Sequence, residues 1–302
     1  MGLLGDLRAL LGEDRVLDSA LARHLYARDA GVYRGEATAV VLAETTAEVQ
    51  EIVRIAGRHG VPIVARGAGT GLAAGAVPLE GGIVLTTTRM NRIEAVDQAN
   101  RTAWVGPGVI NLDLSRATAH LGLHFAPDPS SQAACTIGGN VANNSGGPHC
   151  LAEGSTVNHV LALEVVLADG SVVTVGSAAP DEIGLDLRGM LVGSEGTLGI
   201  ITRALVKLTE DAPDVRTLLA WFDTVAAAAA TVSAVIAAGV VPAALEMMDQ
   251  PMTRAVENWL HAGLPTEAAA ILLAEVVGET ASVEAEAEVI HRVALENHGE
   301  VR

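Results

Sequence analysis

Residues 66–76 read Arg-Gly-Ala-Gly-Thr-Gly-Leu-Ala-Ala-Gly-Ala, with glycine at positions 67, 69, 71 and 75. Glycine takes positive φ at no steric cost and lets backbone approach closely, so successive N–H groups of such a loop can converge on an anion. The chain has 302 residues, with Asp plus Glu at 36 against Lys plus Arg at 19, a formal charge of −17. Lys207 is its single lysine, so uncharged backbone donors are one way in which this loop could hold a pyrophosphate. A glycine-rich turn of a β-rich protein is the plainer reading of this loop taken alone. A dinucleotide-binding G-x-G-x-x-G turn does not match, because the third glycine is misplaced and Pro78, Gly81 and Gly82 prevent a helix from following.

A second stretch, residues 125–154, reads FAPDPSSQAACTIGGNVANNSGGPHCLAEG and holds small, turn-forming residues with almost no bulky side chain. Segments this long without core-forming residues are usually functional. This one can wrap a polar ligand, donating from Ser130, Ser131, Thr136, Asn140, Asn143 and Ser145 and from glycine N–H groups. An ordinary surface loop would be shorter and more charged. The third piece, LVGSEGTLGI at 191–200, reads as a helix end and a turn into a strand, and a simple connection explains it equally well.

Other constellations carry less. His120 and His124 are four apart, as metal ligands on one helical face can be, yet Gly122 between them ends the helix, so no metal site is expected. His149 and Cys150, adjacent in a loop, point apart and make no thiol–base pair; His149 is better placed to line a pocket. Gly193-Ser194-Glu195-Gly196 lacks the G-x-S-x-G spacing of a hydrolase elbow. Met247, Met248 and Trp259 fall on apolar faces and are expected in the core. The charge repels a phosphate backbone, and 2% aromatic residues leave little to stack on bases, which excludes nucleic acid as a partner. Two cysteines and no signal-peptide pattern indicate a reduced, cytoplasmic protein. The longest apolar run, 225–241, is too short and too interrupted to span a membrane.

The elements that must position these loops follow from periodicity and turn chemistry. Residues 39–66 read as strand, helix, strand, a right-handed crossover unit with the glycine loop at its exit; the helix is capped at Thr45 or Thr46, buries Val49, Ile52, Val53, Ile55 and Ala56, and is closed by Gly60. Strands are expected at 83–88, 103–105, 161–167, 172–175 and 199–208, the third and fourth joined by an Ala-Asp-Gly-Ser hairpin turn. A helix is expected over 111–121. Beyond Pro213, strands at 215–222, 243–248 and 270–276 alternate with helices at 224–238, 251–262 and 282–296, and a further strand should begin at Gly299-Glu300. At roughly 150 residues per domain the chain holds about two, the second a separate α+β domain.

The three pieces RGAGTGLAAGA, PDPSSQAACTIGGNVANNSGG and GSEGTLGI together resemble the FAD-binding domain of the vanillyl-alcohol-oxidase and p-cresol-methylhydroxylase type. Within that family the likeness is to the branch of the glycolate oxidase flavin subunit and the D-lactate and D-2-hydroxyglutarate dehydrogenases, and it extends into EMMDQPMTRAVENWLHAGLP and ILLAEV of the second domain. The implied fold is α+β: an N-terminal helical segment at 1–34, a PCMH-type FAD-binding domain of two α+β subdomains at 35–212, and an incomplete FAD-linked-oxidase C-terminal domain at 213–302.

The resemblance implies that Gly67, Ala68, Gly69, Thr70 and Gly71 bind the FAD pyrophosphate through backbone N–H groups, with Gly75 and Ala76 at the turn behind. It implies that Pro127, Ser131, Thr136, Gly138, Gly139, Asn143, Ser145 and Gly146 line the flavin and its ribityl chain, and that Glu195 and Ile200 sit at the adenine end. Thr70 stands where covalently flavinylated relatives often carry histidine, so FAD is expected without a covalent link. His149 through Gly154 departs from the family, whose members usually carry a basic residue and a tyrosine before that glycine.

The implied reaction is oxidation of a small D-2-hydroxy acid of the glycolate or D-lactate class, with hydride passing from the α-carbon to flavin N5. The family's substrate-carboxylate arginine, metal-binding histidines and catalytic histidine belong to a part of the second domain that follows the position of Arg302, so the catalytic residues are unassigned. A fragment of such an enzyme, inactive alone, is therefore the expectation. The alternative is a complete, non-catalytic FAD-binding subunit that docks in an electron-transfer complex beside an iron–sulfur or second flavin-type subunit.

Overall fold

The computed structural model describes residues 2–78, 82–179 and 184–302; Gly81 lies outside them. The chain divides into two compact units, one of Met1–Gly146 and Ser155–Glu210, the other of Gly147–Gly154 and Asp211–Arg302.

Among its described residues the first unit holds a four-stranded sheet, a five-stranded sheet and a two-stranded pair of Leu123–His124 with Thr209–Glu210. The first sheet has the spatial order Val16–Leu17, Ala37–Leu42, Gly82–Thr86, Ile63–Arg66. Its helix Thr46–His59 begins at Thr45, whose hydroxyl accepts from Glu48 N, and ends at Gly60 in the left-handed conformation. Val49, Ile52, Val53, Ile55 and Ala56 recur at helical spacing and pack with Ala39, Val41, Ile83 and Leu85, each large side chain contributing about 1.5–3 kcal/mol by burial. The strand–helix–strand unit differs from expectation in one respect: Gly82–Thr86 inserts between its two strands, parallel to both. All five residues of that strand are buried while Ile63–Ala65 are only partly so, as suits an interior strand covered on both faces.

The second sheet is antiparallel, in the order Ile93–Asp97, Thr102–Val105, Ile200–Lys207, Val160–Val166, Val172–Gly176. Helices Asn111–Thr118, Ile137–Asn143 and Leu187–Leu191 pack on its core. The helix Ile137–Asn143 lies in the stretch expected to be loop. Gly138 and Gly139 hide it from propensity reasoning, but Thr136 caps it and Ile137 and Val141, four apart, are fully buried.

In the second unit an antiparallel sheet runs Ala244–Asp249, Ala270–Gly278, Asp214–Phe222, Glu300–Val301. Helices Val225–Ala237 and Thr280–Glu296 bury Ala228, Val235, Val283, Ile290 and Val293 against Phe222, Leu272, Ala274 and Val276. Two residues expected in the core are not there: Trp259 is 80% exposed and Met247 44% exposed. The helix Gln250–Leu260 has a regular apolar stripe, yet among its described residues Thr253 alone is buried, so the stripe faces outward. Met248 does pack beside Leu219 and Ile271. Among the described residues, no helix is long and apolar enough to cross a membrane.

Candidate functional site

Strand Ile63–Arg66 delivers the chain into the first glycine loop, and Gly69 takes φ +72. The loop is tied down by a buried carboxylate: Asp29 Oδ1 accepts from Gly31 N at 2.8 Å and Oδ2 from Ala74 N at 2.9 Å. Ala30 N donates to Gly71 O at 3.1 Å. Arg66, 8% exposed, lies beneath the loop, with Nη1 donating to Arg28 O at 2.8 Å and Ala76 O at 3.2 Å. Burial holds its guanidinium below the usual pKa, opposed by the phenol of Tyr26 and the carboxylate of Asp29.

The second glycine segment meets the first at Thr136. Its Oγ1 accepts from Gly139 N at 3.2 Å, and a Cβ on Gly67 would overlap that same oxygen. Gly138 N donates to Pro107 O at 2.8 Å, and a Cβ on Gly138 would stand 2.6 Å from Pro107 Cβ. Glycine at 67 and 138 is thus dictated by close packing, not by turn geometry. Asn140, 1% exposed, keeps its Nδ2 without a hydrogen-bond partner. Neighbouring Cys135 is buried too, which pushes its thiol pKa up; a buried neutral thiol is unreactive.

The third segment is pinned to the end of helix Ile137–Asn143. Gly193 N donates to Val141 O and Glu195 N to Ala142 O, both at 2.9 Å, and Glu195 takes φ +51, an uncommon conformation for a residue with a side chain.

The three segments line one partly open cavity of about 160 Å³. Gly67, Ala68, Gly69, Thr70, Gly71, Gly75 and Ala76 line it from the first loop. Ser131, Thr136, Gly138, Gly139, Asn143 and Ser145 line it from the second, and Glu195 and Ile200 from the third. Pro127 and Gly146 are not among its lining residues; Pro127 is buried and its carbonyl accepts from Asn111 Nδ2 at 2.7 Å. Ser130 does not line it either, whereas Asn140 does.

Sequence reasoning passed over Asp29 and Arg66. The signal for Arg66 was an arginine immediately before the glycines at a strand exit; Asp29, some forty residues upstream, left none. His149 lies in the second unit, with Nε2 2.9 Å from Glu275 Oε1, whose other oxygen accepts from Thr217 Oγ1 at 3.2 Å. His120 sits in the turn Ala119–Leu121 and His124 in strand Leu123–His124, with left-handed Gly122 between them.

Two families match the chain: the FAD binding domain over residues 37–176 and the C-terminal domain of FAD linked oxidases over residues 212–301. The glycolate oxidase subunit GlcD of Bacillus subtilis is 46% identical over 284 residues, covering 93% of this chain and 60% of that protein. GlcD of Escherichia coli K12 is 46% identical over 263 residues, covering 87% and 53%, and a D-lactate dehydrogenase of Archaeoglobus fulgidus is 42% identical over 219 residues, covering 72% and 48%. The chain thus spans about half to three fifths of the length of these relatives. Among solved structures, alkyldihydroxyacetonephosphate synthase superposes with a TM-score of 0.85 at 21% identity, over 99% of this chain and 60% of that one. p-Cresol methylhydroxylase superposes with a TM-score of 0.81 at 20% identity, over 99% and 65%. Those two show the fold. On the two family matches, which between them cover residues 37–176 and 212–301, and on these relatives, the chain belongs to the FAD-linked oxidases.

Proposed function

We propose that the cavity of the first unit binds FAD without a covalent link, and that the chain is the FAD-binding part of an oxidase or dehydrogenase for a small D-2-hydroxy acid of the glycolate or D-lactate class. The observation that carries this is the meeting of three glycine segments around one cavity in a chain whose relatives include glycolate oxidase subunits and a D-lactate dehydrogenase. The residues suit the cofactor. Loop N–H groups of Gly67–Gly71 can hold its pyrophosphate, the unpartnered Asn140 Nδ2 can donate to one of its oxygens or ring nitrogens, and Ile200 and Pro107 offer apolar surface to a ring.

In this reading residues 35–212 are the FAD-binding domain, preceded by a helical segment at 1–34, and residues 213–302 belong to the adjoining oxidase domain. Ser131, Thr136, Asn143 and Ser145 bind the flavin and its ribityl chain together with the backbone at Gly138 and Gly139, while Glu195 and Ile200 face the adenine; Pro127 and Gly146, which do not line the cavity, take no part. When bound, FAD supplies the two-electron acceptor of the oxidation. The protein's part is to hold it and keep it from water, and Thr70 lacks the imidazole that covalently flavinylated relatives often carry at this place. The name of the GlcD relatives as subunits supports a partner chain, and the free thiols of Cys135 and Cys150 suit a reducing, cytoplasmic setting.

The test is the absorbance spectrum of the purified protein between 300 and 550 nm, before and after acid precipitation, with the released molecule identified by mass. FAD in the supernatant is the expected result. A folded protein that takes up no flavin when FAD is supplied would overturn the reading, and a flavin that stays with the precipitate would overturn non-covalent attachment.

A further inference from the structure

Among the described residues lining the cavity the charged ones are Asp29, Glu195 and Arg66, so Arg66 is the one cation among them. Nη1 is committed to the carbonyls of Arg28 and Ala76, and the guanidinium carbon lies 5.3 Å from the centroid of the Tyr26 ring. These contacts fix the group on one side. Nε and Nη2 bond to none of the described residues, and none of their carboxylates forms an ion pair with the guanidinium. Asp29, the nearby acid, spends both oxygens on the N–H groups of Gly31 and Ala74.

A buried charge without a bonded counter-ion is unfavourable in a structure that has no other use for it. The place of this one is specific. A side chain at position 69 would overlap Arg66 Nη2 and Cζ, so the guanidinium lies directly against the backbone of Gly69, the residue at positive φ in the middle of the loop. The loop's N–H groups and the charge behind them therefore serve one spot. In a chain of net charge −17 with a single lysine at 207, this is the local positive potential that a doubly charged diphosphate needs.

We propose that Arg66 is the positioning residue for the diphosphate of the bound nucleotide, its Nε/Nη2 edge supplying from beneath Gly69 the charge that the backbone N–H groups lack. This rests on the FAD reading given above. It distinguishes ligands by their phosphates: Arg66 governs the affinity for FAD and for ADP, and leaves that for riboflavin alone.

The experiment measures dissociation constants of FAD, ADP and riboflavin for the apoprotein and for Arg66→Met and Arg66→Lys, with the melting temperature of each apoprotein. For Arg66→Met, FAD and ADP should each bind about tenfold or more weakly while riboflavin stays within about twofold. Arg66→Lys, which keeps the charge and gives up the carbonyl ties, should restore most of the preference for the phosphorylated ligands, and it keeps the question answerable if Arg66→Met does not fold. Equal losses for FAD and riboflavin in both variants, following a drop in melting temperature, would show Arg66 to be only a strut and overturn the proposal. Unchanged FAD and ADP affinity would overturn it as well. A wild-type protein that binds neither FAD nor ADP would bring down the FAD reading and this inference together, whereas a normal wild type with indifferent variants brings down this inference alone.

Discussion

Glu195 occupies the direction in which a side chain at Gly75 would point: a Cβ there would overlap Glu195 Oε2 and stand 2.9 Å from its Cδ. The first and third glycine segments are therefore fitted to each other, and the closest contact is with the movable tip of a carboxylate, with Glu195 Cβ behind it at 3.2 Å. Gly75→Ala should push that tip aside without unfolding the unit, changing apoprotein stability by less than about 1 kcal/mol. With Glu195 displaced into the cavity, FAD affinity should fall by about 1 kcal/mol, roughly fivefold. Thermal melting of the apoprotein beside an FAD titration checks both halves.

Gly67 and Thr136 form a second, stiffer fit, because the overlapping atom at Thr136 is a capping oxygen held by Gly139 N. Thr136→Ala should cost about 1 kcal/mol through the lost cap, and Gly67→Ala about 2 kcal/mol through overpacking. The double variant should cost less than their sum, since without Oγ1 the Thr136 atom closest to a Cβ at 67 is its own Cβ, at 3.6 Å. A denaturation cycle over the four proteins that came out additive would disprove the coupling.

Glu48 predicts a pH dependence. Burial raises its pKa, but Arg15, bonded to both carboxylate oxygens, and the N–H of Glu44 outweigh that and leave it below the ordinary value of 4.5. The unfolded chain thus binds the proton more readily than the folded one. The stabilisation is complete above about pH 4.5 and is lost as pH falls through the lowered folded value. Glu48→Gln should lose about 1–2 kcal/mol at neutral pH and show a flatter acid limb than wild type in urea midpoints measured from pH 7 to pH 3.

Trp259 gives the opposite kind of expectation. At 80% exposure it contributes little to folding, and Trp259→Ser should move stability by no more than about 0.5 kcal/mol. A loss of several kcal/mol in chemical denaturation would mean that the helix Gln250–Leu260 packs differently.

Much of this architecture was legible because local signals agreed with one another. Thr45, the Val49–Ala56 face and Gly60 mark one helix from cap to stop, and the structure has it at Thr46–His59. The Ala-Asp-Gly-Ser turn likewise pairs Val160–Val166 with Val172–Gly176. Where signals disagreed the sequence misled. Gly138 and Gly139 conceal a helix that tertiary packing of Ile137 and Val141 supports, and the regular stripe ending in Trp259 has an amphipathic period but no core beneath it. The insertion of Gly82–Thr86 between two strands is a long-range choice that no local pattern encodes. In the site, the glycines announced themselves by their spacing and Arg66 by its place directly before them, while Asp29 acts through distances that exist only once the chain has folded.

The segment Gly147–Gly154 joins the second unit although the chain on either side of it belongs to the first. The second unit is therefore assembled from two stretches of chain, and its completion has an order in time. His149 lies 126 residues ahead of its partner Glu275; at a ribosomal rate of about 5–20 residues per second, that is a wait of roughly 6–25 s. Until strand Ala270–Gly278 emerges, the nascent chain carries this segment as an unclosed loop. Cutting the protein between residues 210 and 211 would not yield two intact halves, because the leading piece would keep a part whose hydrogen-bonding partner lies in the trailing one.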